Sequence, residues 1–302
     1  MNARCRFRPR VASHEPARRY HGIEKAGLSR VCRSQSSLAS LTAHRSAAAG
    51  GRLKPCGLGV FFASMFALFT GAGHAAALKV MCDSPLQPAL TKVTDLFHQE
   101  TNTEMTLVCN AGPVIKNRIE SGEIADVVVV EPDFVEQLTS SGKVRAGDRP
   151  TVGYVGVGLG NRTDSPNYDI STIDKLKSTL LGADLIVFNR VKSGEAFAAV
   201  LERLGIAETL KPKIVRTAPL DIFQPVLKDK GNALAAGTIP LIATTPGIKL
   251  LGPLPGDLQD AIPYTAAVMT NAPDARTAES FVRFLLTPKA KQTLASNGVT
   301  VK

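Results

Sequence analysis

The chain has 302 residues, 44% of them hydrophobic, which is enough for a packed core and excludes a disordered or fibrous protein. The formal charge of +10 sits in residues 1–56, where 12 Lys and Arg stand against 2 Asp and Glu, while the other 24 basic residues are matched by 24 acidic ones. A domain that grips a phosphate backbone needs a basic face to release counterions, and residues 57–302 have no surplus for one, so no nucleic-acid partner is expected.

The basic segment carries Arg4, Arg6, Arg8, Arg10, Arg18, Arg19, Arg30, Arg33, Arg45, Arg52 and Lys54 among Ser, Ala and Gly, with no sustained apolar period. It predicts an unstructured leader. Residues 58–71 (LGVFFASMFALFTG) form an uncharged apolar run of signal-peptide length, and small residues around Ala76 and Ala77 place a cleavage point there. The alternative is an uncleaved anchor, but only these 14 residues are strongly apolar where a membrane span needs about 20. The expectation is a leader over 1–77 and a soluble, exported mature protein.

From Leu78 onward short apolar runs alternate with amphipathic stretches, the pattern of an α/β domain with a largely parallel sheet. A strand over 78–81 leads into a helix opened by Ser84 and Pro85, with Gln87 placed as in a capping box and Leu86, Leu90, Val93 and Phe97 as its buried stripe. Next come a strand over 105–108, a helix over 113–121 stopped by Gly122, the β-branched run 127–130 and a helix over 134–140. Residues 152–159 (VGYVGVGL) read as one Gly-interrupted strand that makes the first crossing between two lobes. A second series follows: helix 172–181 capped by Ser171, strand 185–188, helix 194–204 stopped by Gly205, strand 214–216, helix 222–228 and strand 239–243. After the Pro- and Gly-rich stretch 247–256, a strand over 261–269 carries the chain back, and helices over 275–286 and 289–297 with a short end strand close the molecule. Lobe one is thus expected over 78–154 plus 265–302, and lobe two over 155–264.

No nucleophile with a base, paired catalytic carboxylates, metal cluster or cofactor loop is found, so an enzyme is not expected, nor a cofactor or metal. His98 is the one histidine after the leader and sits beside Leu96 and Phe97 in a helix, where a surface role fits. What recurs is a small or polar residue where a strand hands over to a helix: Cys82-Asp83-Ser84, Asn110-Ala111-Gly112, Lys192-Ser193-Gly194 and Thr244-Thr245. Crevices at the carboxyl ends of strands hold ligands in open α/β sheets, and helix N-termini favour anions. Two of these segments lie in each lobe, which points to a cleft lined from both sides.

The run IESGEIADVVVVEPDFVEQLTSSGKV, the segments SGEAFAAVLERLGI and IPYTAAV, and the ending SFVRFLLTPKAKQTLASNGVTVK resemble the periplasmic molybdate-binding proteins and their wider relatives, the type II solute-binding proteins of ABC transporters. The resemblance implies a two-lobed fold with a hinge and an interlobe cleft. It also implies a small, oxyanion-like ligand in that cleft and an ABC permease as partner, with the protein a monomer in the periplasm. Matched position by position, it implies ligand contacts at Ser84, at Asn110, Ala111 and Gly112, at Ser193 and Gly194, at Thr244 and at Tyr264. Ser84 and Ser193 serve equally well as helix caps, and Tyr264 as a core tyrosine. The chain departs from the family's pattern twice: no Ser stands at Asn110 to Pro113, and Asp83 adjoins the proposed site, where a carboxylate costs Coulomb energy against a bound dianion. A hydrolase, or a sensor without a transport role, on the same scaffold is the alternative.

Cys5, Cys32 and Cys56 leave with the leader, and Cys82 and Cys109 remain as one pair in an oxidising compartment. They end consecutive strands, so they form a disulfide, stay as two buried thiols, or join a soft-metal site.

Overall fold

The computed structural model describes residues 77–302, and the expected leader lies outside them apart from Ala77. Strand β1 (Leu78–Asp83) passes through a 3-10 turn at Ser84–Leu86 into helix α1 (Gln87–Thr101), which buries Leu90, Val93 and Phe97 and stops at Asn102 in the left-handed region. The Ser84 capping box does not form. Asp83 caps this turn instead, its side chain accepting the Ser84 N–H at 2.9 Å. Strand β2 (Met105–Asn110) and helix α2 (Gly112–Glu120) follow, then β3 (Val127–Val130), helix α3 (Pro132–Ser140) and β4 (Thr151–Val155). All four valines of β3 are buried, as a strand covered on both faces requires.

The second series comprises β5 (Val157–Arg162), α4 (Ile173–Leu181), β6 (Leu185–Asn189), α5 (Lys192–Arg203), α6 (Ala207–Leu210), β7 (Ile214–Thr217), α7 (Phe223–Lys228), β8 (Ala233–Thr238), α8 (Ile239–Thr244) and β9 (Ile248–Pro253). Then β10 (Ile262–Val268), α9 (Ala275–Phe284) and α10 (Pro288–Ser296) complete the chain. In the second lobe Phe188 and Phe197 meet edge to face at 5.1 Å. In the first, Phe97 meets Phe281 at 5.2 Å and Phe284 at 5.3 Å and so ties α1 to α9, each contact adding about 1 kcal/mol beyond burial.

The strands form two mixed sheets, in the orders β2-β1-β3-β10-β4 and β7-β6-β8-β5-β9, within one compact unit. Both follow one plan: three parallel strands, an antiparallel fourth and an edge strand. The edge strand of each sheet continues into the antiparallel strand of the other, β4 into β5 and β9 into β10, so the chain crosses twice.

Four differences from the sequence expectation follow from pairing. Residues 152–159 are two strands in different sheets, parted at Gly156, where a Cβ would come within 3.0 Å of Gln259 Nε2 and Ile239 Cδ1. Val155 and Tyr264, expected in the second lobe, pair with Ile262 and Gly153 inside the first sheet. Residues 239–243 are helical, and the strand lies just before them as β8, an Ala- and Gly-rich segment whose one β-branched residue is Thr238. Pairing with β6 and β5 on its two sides makes it a strand. The stretch 247–256 contains β9, which pairs with β5 and ends at Pro253.

Cys82 and Cys109 are register partners in the parallel pair of β1 and β2, with Cα atoms 4.5 Å apart, and they are disulfide-bonded.

Candidate ligand-binding cleft

The carboxyl ends of the parallel strands face a cavity of about 470 Å³ lined by both sheets. On the first wall, β1 ends in Asp83, α2 begins at Gly112, Glu131 follows β3, and β10 contributes Tyr264. Asp83 Oδ1 accepts the Ser84 N–H, and Oδ2 accepts the Tyr264 hydroxyl at 3.4 Å. Burial, reinforced by the charge of Glu131, raises the Asp83 carboxyl to about 7, although hydrogen bonds from the Ser84 N–H, the Tyr264 hydroxyl and the Gly112 N–H favour its ionised form. Burial likewise raises Glu131, against the pull of Lys192, and holds the Tyr264 phenol well above its ordinary value.

On the second wall, Asn189 ends β6 and turns its amide onto the start of α5. Its Oδ1 accepts the Gly194 N–H at 3.0 Å and the Val191 N–H at 3.2 Å, while Nδ2 donates to Ser193 Oγ at 3.1 Å. Gly194 allows this approach: a Cβ there would lie 2.0 Å from the Asn189 carbonyl oxygen. Lys192 reaches across the cleft to Asp133 of α3 at 3.2 Å. Arg190 lines the cleft, is exposed, and makes no ion pair among the described residues. Thr238, the last residue of β8, is 3% exposed, and its hydroxyl has no hydrogen-bond partner. An orphaned buried hydroxyl on a cavity wall costs about 1–3 kcal/mol unless something enters to meet it.

The structure brings Ser84, Ala111, Gly112, Ser193 and Tyr264 together in this cleft. Asn110, Gly194 and Thr244 are not among its lining residues. The Asn110 side chain is turned back to accept the Ala111 N–H at 2.8 Å, the Gly194 N–H is spent on Asn189 and the Val191 carbonyl, and the Thr244 hydroxyl donates to the Pro240 carbonyl at 2.8 Å. Arg190, Glu131 and Thr238 were missed. The rule that found the other segments, a polar residue where a strand meets a helix, also picks out Thr238 once β8 is placed at 233–238, so a shifted strand boundary hid it. His98 lies on α1 with Nδ1 2.9 Å from the Thr103 carbonyl, and is not among the lining residues.

Comparisons with known proteins agree with this geometry. A curated aconitate isomerase from Pseudomonas sp is 22% identical over 234 residues, 76% of this chain and 89% of the relative. The molybdate-binding protein ModA of Azotobacter vinelandii is 25% identical over 240 residues, 76% of this chain and 92% of the relative. Among solved structures, the Azotobacter vinelandii periplasmic molybdate-binding protein matches with a TM-score of 0.63 at 18% identity, covering 74% of this chain and 99% of its own. The family model described as bacterial extracellular solute-binding protein matches residues 78–300. Two mixed sheets, two crossings and a cleft at the strand ends are the architecture of periplasmic binding proteins, and the chain belongs to the bacterial extracellular solute-binding protein family.

Proposed function

We propose that the chain is the exported, periplasmic solute-binding component of an ABC importer, which takes a small anionic solute into the cleft as a monomer and presents it to a permease. The observation that carries this reading is a cavity fed by strand ends of both sheets, where, among the described residues, Arg190 has no ionic partner and the buried Thr238 hydroxyl has no hydrogen-bond partner. The two crossings provide the hinge. Gln259 spans them, accepting the Val157 N–H at 2.8 Å and donating to the Val157 carbonyl at 2.7 Å. A ligand that touches both walls binds the closed arrangement better and shifts the population toward it. The test is a thermal-shift panel of molybdate, tungstate, sulfate, phosphate and small carboxylates. A ligand at 100 times its Kd stabilises by about 2.7 kcal/mol, and a flat response to every compound overturns the reading.

A second reading rests on Asp83. A carboxyl raised to about 7 beside a tyrosine in a ligand cleft is suited to take a proton from one carbon of a bound acid and return it to another. Such an isomerisation needs no cofactor, and the aconitate isomerase relative supports it. Deuterium uptake from heavy water into a bound carboxylic acid, lost in Asp83→Asn, supports this reading. Absence of exchange under saturating ligand removes it.

A further inference from the structure

The two walls do the same backbone work with different chemistry. Asp83 ends the middle parallel strand of the first sheet and Asn189 the matching strand of the second, and each turns a side-chain oxygen onto N–H groups at the start of the next helical segment. Asn189 does this with a neutral amide, so capping alone gives no reason for an acid at the equivalent place.

We infer that the cleft binds a small hydroxycarboxylate, with its hydroxyl donating to Asp83 and its carboxylate held by Arg190. This deepens the solute-binding reading proposed above and rests on it.

A fully ionised tetrahedral oxyanion has only acceptors to offer. At the first wall it would meet the carboxyl of Asp83 with Glu131 nearby, and the Ser84 N–H that a helix start offers an anion is already taken by Asp83. The Tyr264 hydroxyl reaches Asp83 Oδ2 only at 3.4 Å, so beside the Ser84 and Gly112 N–H groups that already point at this carboxyl a ligand hydroxyl supplies a closer O–H donor from the cleft side. The second wall is complementary. Lys192 is engaged with Asp133, and Lys116 donates to Gln137 at 3.0 Å, which leaves the Arg190 guanidinium for a carboxylate in the two-pronged geometry that suits it. The Thr238 hydroxyl gains its missing partner from the same ligand. Hydrogen phosphate also brings a donor, but a cavity of about 470 Å³ is in the range occupied by multi-carbon ligands.

The test is isothermal titration of the exported protein at one pH with matched pairs, malate against succinate and citrate against tricarballylate, beside molybdate, tungstate, sulfate and phosphate. Each hydroxy acid is expected to bind about 10- to 100-fold more tightly than its partner lacking the hydroxyl, and more tightly than any inorganic anion. Asp83→Asn, which keeps a side-chain oxygen for the Ser84 N–H and should fold, is expected to shrink the hydroxyl preference. Arg190→Ala is expected to weaken both members of each pair alike. Equal affinity within both pairs, or an inorganic anion binding most tightly, overturns the hydroxycarboxylate assignment and leaves the solute-binding reading standing. Absence of binding across the whole panel overturns both.

Discussion

In the first sheet the strand ends at the cleft carry Asp83 and, just beyond β3, Glu131; in the second the matching places carry Asn189 and Thr238. Asp83 and Asn189 both secure backbone N–H groups, and Glu131 and Thr238 both stand immediately before a helix. Equal topology thus separates what these positions do for the fold from what they do for a ligand. The shared capping belongs to the fold. In the proposed reading, the carboxyls on one side, and the guanidinium and orphaned hydroxyl on the other, serve the ligand.

The largest way to break the comparison is through the disulfide, which joins β1 to β2 directly behind the first wall, whereas no disulfide joins the matching pair β6 and β7. Replacing both Cys82 and Cys109 by Ala should lower stability by about 3 kcal/mol, read as a lower midpoint in urea. The same replacement should loosen the Asp83 loop, seen as faster hydrogen exchange at Ser84 and Gly112 than at Ser193.

The charge difference between the walls predicts a pH dependence. Asp83 rises from 3.8 to about 7 on folding, so between these values the native state holds a proton that the unfolded chain has released. Stability from this group is therefore fully present below pH 4 and is lost as pH rises to about 7. Glu131 is shifted in the same direction, whereas the half-buried Glu123, drawn down to about 2 by Arg118 and Lys79, acts in the opposite sense at lower pH. Subtracting the Asp83→Asn curve from the native one isolates the effect, expected to be on the order of 2 kcal/mol between pH 5 and 8. A difference that stays constant with pH would remove the acid–amide contrast between Asp83 and Asn189.

Thr238→Val sharpens the contrast from the other wall. Removing an orphaned buried hydroxyl should leave the ligand-free protein unchanged or more stable by about 1 kcal/mol, while weakening the ligand about 3- to 10-fold. Thermal melts with and without ligand read both effects, and a hydroxyl with only a structural role would lower both melting temperatures equally. The smallest effect is expected from Lys192→Gln, which breaks the one ion pair found between the walls among the described residues. Both partners are largely exposed, so stability should change by less than about 1 kcal/mol, with the difference appearing in the rate of cleft opening by fluorescence between labels on the two lobes.

The apolar stripe of α1, the four valines of β3 and the Gly stops after α2 and α5 were legible because each is written in a local pattern of residue types. The same local pattern, a strand-to-helix handover, singled out Ser84, Gly112 and Ser193, which line the cleft, whereas the fate of Cys82 and Cys109 stayed open among three outcomes until the register of β1 with β2 decided it. The parting of β4 from β5 at Gly156, the strand character of Ala233–Thr238, the edge strand Ile248–Pro253 and the placement of Thr238 in the cleft were not legible. Each depends on a partner far away in the chain: Gln259 against Gly156, β5 and β6 on the two sides of β8, and β5 beside β9. Composition and local periodicity by themselves determined an α/β chain of strand–helix units with polar residues at the handovers. Only the tertiary structure decided which strands pair and which wall each handover faces, because an Ala- and Gly-rich segment becomes a strand through the neighbours that hydrogen-bond to it.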